Sequence, residues 1–294
     1  MKPYDSLIIG GGPAGASCAI WLQQLGFRPC IVERRARLGG LQNDSPYVNN
    51  WIAGVAGRTG VQFAADIAAH VESLGIDFAL ETEATRIRRS GDSFEVQRAG
   101  GEPFAARTVV LATGVKAVDG GLTPGANVIV GPGRAVVEAD FRGKRVAILG
   151  GGDNAFENHA FILGQGAREV RIFARSIRAR AALRDAVAAG SVTVGPYRVE
   201  GRAVAVNGEP FDCLVVLYGW APVIPPVEGD ALELDAQGFV KVDANQATSQ
   251  PGIYAAGEIT RRSHPCCTTA MAEGVAAAKA IQARLEQTVS PRSS

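Results

Sequence analysis

One pattern occurs twice in this chain of 294 residues and limits what the chain can fold into. Residues 4–35 and residues 144–176 each run from a short apolar stretch through a glycine-rich turn into a helical pattern and then a second apolar stretch. Short apolar runs that end in glycine are typical of buried parallel strands. The duplicated β-α-β unit therefore indicates an α/β fold with two Rossmann-like nucleotide-binding domains.

The end of the chain indicates how the two domains are connected. GIYAAGEI (residues 252–259) is typical of another buried strand, and a last helix is predicted from about Thr268 to Glu286. Because a helix at the end of a chain must pack on something built earlier, we expect the second domain to be inserted in the first. The predicted domains are residues 1–114 plus 246–294 and residues 115–245, with linkers where Gly and Pro interrupt the pattern.

Charge and composition exclude several classes of function. The formal net charge of +1 provides no field that would attract nucleic acid or a membrane surface. No apolar run is long enough to span a bilayer, and the apolar N-terminal stretch is typical of a strand rather than a signal peptide. Five cysteines do not make a disulfide scaffold, and three histidines without Cys-x-x-Cys predict no metal site. We therefore expect a soluble, cytoplasmic protein.

The first glycine turn matches the dinucleotide-binding motif as Gly10-x-Gly12-x-x-Gly15. Its glycines allow a tight turn and let backbone N–H groups approach a pyrophosphate, and the helix dipole favours that anion. Glu33 ends the next strand, where a carboxylate can accept hydrogen bonds from ribose hydroxyls. The predicted site also includes the two residues between the glycines, Pro13 and Ala14.

The second glycine turn is Gly150-x-Gly152-x-x-Ala155, with Asn154 inside it, and the matching acid is missing. At the equivalent offset the chain has Arg175, followed by the further arginines Arg178, Arg180 and Arg184. A carboxylate there would repel a 2′-phosphate, whereas arginines pair with one. The pattern favours NADPH, with NADH possible, although Arg178 and Arg184 are explained equally well as a solvated helix face. Two nucleotide sites in one chain suggest an electron relay between cofactors.

With the two motifs, Ala112-Thr113-Gly114 and GIYAAGE at residues 252–258, the chain resembles low-molecular-weight thioredoxin reductases, which belong to the pyridine nucleotide-disulfide oxidoreductase superfamily. The resemblance covers nearly the whole chain. It implies two three-layer domains, with FAD in the split domain and NADPH in the inserted one. It also implies a homodimer whose domains rotate to bring the nicotinamide to the flavin.

Carried over position by position, the resemblance implies FAD contacts at Gly10, Gly12, Gly15, Glu33, Gly40, Asn50, Thr113, Gly114 and Gly257. Glu258 stands where the family has Asp, and the order Gly39-Gly40-Leu41-Gln42 implies that Gln42 faces the flavin. Arg175 and Arg180 match two arginines that hold the 2′-phosphate. The family has His-Arg-Arg where this chain has Ala174-Arg175-Ser176, so we expect weaker binding of the 2′-phosphate.

The largest departure from the family concerns its dithiol. Thioredoxin reductases carry Cys-x-x-Cys shortly before the second glycine motif, where this chain has Gly133-Arg134-Ala135-Val136. The standard thioredoxin mechanism is therefore not expected. The chain resembles instead the branch without the dithiol, which includes thioredoxin-reductase-like ferredoxin–NADP reductases.

The stretch HPCCTTAM (residues 264–271) places Cys266 and Cys267 at the start of the last helix. In the family the N–H groups at that helix start point at the pyrimidine side of the flavin, and we expect Thr268 to contribute to the cofactor site. Thr268 or Thr269 is expected to cap the helix.

Three interpretations of the cysteines remain open: structural thiols, one reactive thiol made acidic by the helix, or a redox-active vicinal pair. A vicinal disulfide would be strained, because neighbouring Cα atoms lie only about 3.8 Å apart. His264 is a candidate proton donor near the flavin or a surface histidine.

These observations predict an FAD-dependent NAD(P)H oxidoreductase that passes electrons from NADPH through FAD to an external acceptor. The acceptor is open between a small redox protein and a small molecule such as a quinone, a disulfide or O₂. Two alternatives stay open: a flavin-binding sensor or interaction protein with little turnover, and a disulfide reductase that uses Cys266 and Cys267.

Overall fold

The computed structural model describes residues 2–287, and the chain divides into two compact units. The flanking unit comprises the chain up to residue 115 and from residue 222 onward, and the inserted unit comprises residues 116–221. The last seven residues of the predicted outer domain, 288–294, lie outside the described residues.

The second boundary between the units falls earlier in the chain than residue 245, where the sequence placed it. Residues after 222 already pack on the flanking unit, because the Ile87 N–H donates to the Pro226 carbonyl at 2.9 Å and the Glu228 N–H to the Ile87 carbonyl at 2.8 Å. Val240 lies in the same hydrophobic cluster as Ile253. These contacts join residues that are distant in sequence, so the local Gly and Pro signals did not reveal them.

The strands, in chain order, are β1 (Tyr4–Ile9), β2 (Pro29–Val32), β3 (Asp77–Ala79), β4 (Ala84–Ser90), β5 (Ser93–Arg98), β6 (Gly101–Leu111), β7 (Val115–Ala117), β8 (Val128–Val130), β9 (Arg145–Leu149), β10 (Glu169–Ala174), β11 (Val192–Val194), β12 (Val199–Glu200), β13 (Ala205–Val206), β14 (Glu209–Pro210), β15 (Cys213–Val216), β16 (Trp220–Pro222) and β17 (Ile253–Ala255). The α-helices are α1 (Pro13–Gln24), α2 (Gly60–Ser73), α3 (Arg134–Glu138), α4 (Asp153–Gly164), α5 (Ala181–Asp185) and α6 (Cys267–Gln287). Three short 3₁₀ helices cover Gly40–Asp44, Ala189–Ser191 and Gly201–Ala203.

The flanking unit has three layers around a parallel sheet. Strand β1 pairs in parallel with β2 and β6, β2 with β3, and β6 with β17, while β4 and β5 continue from β6 as an antiparallel meander. The first apolar cluster includes Ile8 of the sheet, Leu22 of α1 and Ile281 of α6. The second includes Leu7 and Ile87, so alternate residues of β1 serve the two clusters. The carboxyl ends of β1, β2, β6 and β17 therefore meet at one edge of the sheet.

The inserted unit repeats this plan around the parallel sheet β11-β10-β9-β15-β8. Ile148 packs in a cluster with Phe156 of α4, whereas Leu149 packs in a cluster with Phe211 beside the small antiparallel sheet β12-β13-β14. The prediction of an α/β fold with two Rossmann-like three-layer domains, the second inserted in the first, is confirmed. Within residues 2–287, no helix is both long and apolar enough to cross a membrane.

Candidate functional site

A cavity of about 630 Å³ opens in the flanking unit where the strand ends meet. Its walls come from the turn after β1, the end of β2, the Gly40–Asp44 helix, the end of β6, the chain after β17 and the start of α6. This is where α/β sheets bind ligands. The predicted site residues that line it are Gly10, Gly12, Pro13, Ala14, Glu33, Gly40, Gln42, Thr113, Gly114, Gly257, Glu258, Cys266 and Cys267.

The glycine turn after β1 is shaped by close backbone approach. Gly10 has φ +108°, and a Cβ there would lie 2.3 Å from the Ala112 carbonyl oxygen. A Cβ on Gly15 would lie 1.9 Å from the Gly10 carbonyl oxygen, so Gly15 packs the helix on the turn and does not line the cavity. Helix α1 begins after Gly12 with no side-chain cap, and its first residues line the cavity. An anion in the cavity can therefore meet N–H groups and the positive end of the helix dipole.

Glu33 is a buried carboxylate, 5% exposed, at the end of β2. One oxygen accepts the Gly11 N–H at 2.7 Å and the other accepts the Arg35 N–H at 2.9 Å. Each oxygen keeps a further lone pair, so the carboxylate is fixed in place and can still accept from a ribose hydroxyl. Arg35 is held in turn by Asp44 at 2.8 Å.

Asn43 supports the wall on the other side of this turn, and the sequence did not single it out. Its side-chain amide donates to the Leu38 carbonyl at 2.8 Å and to the Gly40 carbonyl at 3.1 Å. Asn43 thereby fixes the turn that brings Gly40 against Gly12. Its position shortly after the Gly39-Gly40 pair is the local signal that could have pointed to it.

The chain returning from the inserted unit closes another wall, which the sequence missed. The Thr113 hydroxyl donates to the Val223 carbonyl, and the Val223 N–H donates to the Gly114 carbonyl at 3.0 Å. Residues 223–226 line the cavity with apolar side chains. Thr113 is thus engaged with the protein itself, and the misplaced domain boundary explains why these residues were overlooked.

Glu273 of α6 is a second buried carboxylate that the sequence missed. It accepts the Gly257 N–H at 2.8 Å and lies 3.3 Å from the Thr260 hydroxyl. It therefore fixes the turn that presents Glu258 to the cavity. Burial raises the pKa of Glu258 above its usual range, which favours its protonated form.

The start of α6 differs from the prediction. The cap position is occupied by Cys266 and not by Thr268 or Thr269. The Ala270 N–H donates to the Cys266 carbonyl at 3.0 Å, which is the first helical bond. The Cys266 N–H donates to Thr269 Oγ1 at 3.3 Å, and the Cys266 sulfur lies 3.4 Å from the same oxygen. The bond from the Cys266 N–H to the Thr269 side chain is one half of a capping box.

The two neighbouring thiols differ in acidity. Burial raises the pKa of Cys266, but the neighbouring polar groups of Thr269 and Thr268 outweigh it, so the pKa is lowered overall. Burial, with the nearby Glu258 carboxylate, raises the pKa of Cys267 to about 11. Both are free thiols.

Besides Gly15, three predicted residues of this site lie outside the residues that line the cavity. Asn50, His264 and Thr268 are exposed, and none of them lines it. The His264 carbonyl accepts the Thr269 hydroxyl at 2.6 Å, so His264 contributes backbone to the start of α6. Among residues 2–287, no three His, Cys, Asp or Glu side chains are grouped so as to hold a metal ion.

The glycine turn of the inserted unit repeats the geometry of the first. Gly150 has φ +144°, and a Cβ there would lie 2.3 Å from the Leu217 carbonyl oxygen. Gly152 precedes α4 with no side-chain cap and with open space at its Cβ position, while Ala155 is buried. Asn154 lies in the first turn of α4, where its carbonyl accepts the Asn158 side chain at 2.8 Å. The start of α4 can therefore receive a second pyrophosphate.

The two predicted phosphate-binding arginines differ in their ion pairing. Arg175 is exposed and directly follows β10. Arg180 pairs with Glu157 at 2.8 Å and with Asp153 at 3.5 Å, and its N–H donates to Asp153 at 2.9 Å. Two carboxylates therefore already balance the charge of Arg180.

A model of the pyridine nucleotide-disulphide oxidoreductase family matches residues 4–274. The F component of alkyl hydroperoxide reductase from Staphylococcus aureus strain MSSA476 is 30% identical over 302 residues, which cover 94% of this chain and 58% of the relative. Its counterpart in strain NCTC 8325 / PS 47 is 32% identical over 300 residues, with the same coverage. The chain thus spans 58% of the length of these curated relatives.

Solved structures share the fold over almost the whole chain. Lactococcus lactis thioredoxin reductase (FR conformation) superposes with a TM-score of 0.80 at 22% identity, covering 97% of this chain and 99% of that one. Thioredoxin reductase of T. acidophilum gives a TM-score of 0.78 at 22% identity, covering 97% of this chain and 100% of that one.

Proposed function

The chain belongs to the pyridine nucleotide-disulphide oxidoreductase family, and from this premise we propose that it is an FAD-dependent oxidoreductase that passes electrons from NADPH through FAD to an external acceptor. The family implies FAD and NAD(P)H as its nucleotides. NADPH as the preferred donor, the acceptor and a homodimer are parts of the proposal, as are its cytoplasmic location and the absence of nucleic-acid and membrane partners.

The observation that carries the proposal is the cavity of the flanking unit. The start of α1, the buried Glu33, Glu258, Cys266 and Cys267 all line it. The glycine turn fits a pyrophosphate and Glu33 fits a ribose, so the residues present suit a dinucleotide such as FAD. When bound, FAD supplies two-electron transfer.

In this proposal, the chain's own residues bind and orient the cofactor and shield it from water. The backbone N–H groups at the start of α1 would stabilise the charge of the pyrophosphate, and Glu33 would accept hydrogen bonds from the ribose. The apolar residues 223–226 exclude water from their wall of the cavity. Glu258 is a further group lining the cavity that can hold a proton, because burial raises its pKa.

The nucleotide preference rests on Arg175. It is an exposed cation at the end of β10, where an acid would otherwise reject a 2′-phosphate. Because Arg180 is balanced by Asp153 and Glu157, we propose a modest preference for NADPH over NADH.

The first test is an anaerobic titration of the purified protein with NADPH, followed by NADH, while the flavin absorbance is recorded. Complete bleaching after one equivalent of NADPH per flavin supports the proposal and makes the flavin the only redox centre. Two equivalents would reveal a second two-electron centre, and would favour a disulfide reductase that uses Cys266 and Cys267. A flavin that neither nucleotide reduces contradicts the proposal.

A flavin that neither NADPH nor NADH reduces would favour the flavin-binding sensor with little turnover. Two observations favour that second candidate. The sequence has no Cys-x-x-Cys pair, and Arg180 is engaged by carboxylates.

A further inference from the structure

The loop after β10, residues 175–180, lies against the glycine turn of the inserted unit and carries both predicted phosphate-binding arginines. The Arg178 and Ala179 N–H groups donate to the Gly151 carbonyl at 2.7 Å and 3.1 Å. A Cβ on Gly151 would lie 2.1 Å from the Ser176 carbonyl oxygen, so the two segments touch through their backbones. The loop that would meet a 2′-phosphate is therefore joined to the turn that would meet the pyrophosphate.

Asp153, the first residue of α4, completes this junction and also brings a negative charge to it. Its Oδ1 accepts the Arg180 N–H at 2.9 Å, while its Oδ2 lies 3.5 Å from the Arg180 Nε. The Arg180 guanidinium also pairs at 2.8 Å with Glu157, which lies one turn further along α4. Arg180 is therefore bound to α4 through both its backbone and its side chain.

The two units place an acid at different ends of their β-α-β motifs. In the flanking unit Glu33 stands at the end of β2 and accepts the Gly11 N–H, and α1 begins with Pro13. In the inserted unit β10 ends without an acid, and Asp153 stands at the helix start instead. A carboxylate at a helix start uses the field that would favour the pyrophosphate, and it repels that anion. The charge of Asp153 therefore opposes nucleotide binding unless a cation balances it.

We propose that Arg180 is a positioning residue for nucleotide binding, which neutralises Asp153 and Glu157 beside the start of α4 and does not hold the 2′-phosphate. Asp153 in turn fastens the loop that carries Arg175. The inference rests on the proposed function for the identity of the nucleotide, and it replaces the role that the resemblance gave to Arg180. Arg180 then serves NADPH and NADH alike, because both nucleotides carry the pyrophosphate.

The first test measures the affinity of the flavin-loaded protein for NADP⁺ and for NAD⁺ by calorimetry at low ionic strength, so that no turnover is involved. Arg180→Ala should weaken the binding of both nucleotides by the same factor, about three- to fivefold, because two unbalanced carboxylates then lie beside the pyrophosphate. The factor should shrink in about 0.5 M salt, since salt screens the repulsion. A loss confined to NADP⁺ would overturn the inference.

Arg168→Ala is the matched control for the removal of one positive charge. Arg168 is exposed and precedes β10, so it lies at the opposite edge of the sheet from the glycine turn. Its replacement should leave both affinities unchanged. A loss as large as that in Arg180→Ala would contradict the assignment, because the effect would then follow the net charge and not the ion pair.

Rescue by a second substitution separates the charge of Asp153 from its role in the fold. Asp153→Asn in the Arg180→Ala background should restore most of the affinity for both nucleotides. The amide oxygen still accepts the N–H of residue 180 but carries no charge. Failure of this rescue would show that Arg180→Ala acts by disturbing the structure, and would exclude the proposed neutralisation.

Amide hydrogen exchange measures the fastening of the loop without any nucleotide. Asp153→Ala should speed exchange of the Arg180 N–H, because its acceptor is lost, whereas Asp153→Asn should keep this N–H protected. Unchanged exchange in Asp153→Ala would overturn the role of Asp153 in holding the loop.

The inference and the proposed function can fail separately. A flavin that neither NADPH nor NADH reduces, in a protein with the expected pattern of affinities, would remove only the proposed function. A flavin that NADPH bleaches, with Arg180→Ala weakening NADP⁺ alone, would remove only this inference.

Discussion

The carboxylate of Glu33 accepts the backbone N–H of Gly11 at 2.7 Å and so joins the end of β2 to the glycine turn after β1. The same carboxylate also accepts the Arg35 N–H at 2.9 Å. One side chain therefore fixes both the turn that would receive a pyrophosphate and the chain that leaves the strand.

Replacing Glu33 with Ala should weaken both the fold and the retention of flavin. The buried Gly11 N–H loses its partner, which costs about 1–3 kcal/mol of unfolding free energy. We expect at least about tenfold weaker FAD binding, measured from the flavin-to-protein ratio and by fluorescence titration, since the ribose also loses its acceptor. Glu83→Ala, at an exposed position on the same cavity, is the control and should retain FAD. Equal FAD affinity in the two variants would contradict the role of Glu33.

Gly15→Ala should disrupt the glycine turn by crowding alone. The new Cβ would lie 1.9 Å from the Gly10 carbonyl oxygen, and this neighbour is backbone that cannot rotate away. Overpacking of this kind costs about 1–3 kcal/mol or more, visible as a lower urea midpoint and lost flavin. Gly164→Ala is the matched control, because no atom lies near its Cβ position within α4 and the change should stabilise by up to about 1 kcal/mol. A fully stable Gly15→Ala variant would show that the turn relaxes.

Arg175→Ala and Arg180→Ala should differ in their effect on NADPH. Arg175 is exposed after β10, whereas Arg180 is paired with Asp153 and Glu157. We expect Arg175→Ala to raise KM for NADPH by about tenfold or more and to leave KM for NADH unchanged, because only NADPH carries the 2′-phosphate. Arg180→Ala should have a smaller effect. Equal losses in the two variants would show that Arg180 leaves its carboxylates to bind the nucleotide.

His159 should make stability depend on pH. It is 4% exposed on α4, and burial lowers its pKa below the ordinary value of 6.5. The folded chain therefore holds a neutral imidazole while the unfolded chain binds a proton, so stability is present above about pH 6.5 and is lost as the pH falls through and below it. His159→Gln should remove this dependence in urea unfolding measured on either side of that pH. His70→Gln, at an exposed position on α2, should keep it, and an unchanged slope in His159→Gln would exclude His159 as its source.

The sequence by itself determined the repeated β-α-β architecture and the position of both glycine turns. The last helix was predicted from about Thr268 and begins at Cys267. These features follow from signals that are local in the chain: a strand ending in glycine, a helical period, and an acid at the end of the next strand. Each is dictated by backbone geometry over fewer than about 35 residues, so no knowledge of the rest of the fold was needed.

Only the tertiary structure decided which residues complete the cavity. Val223 contacts Thr113 although the whole inserted unit separates them in sequence, and Glu273 of α6 fixes the turn at Gly257. The Thr269 hydroxyl donates to the His264 carbonyl, and Arg180 is neutralised by carboxylates of α4. In each case a polar group found its partner by proximity in space, because a buried donor or charge must be satisfied by whatever the fold brings near it. No periodicity in the chain encodes that choice.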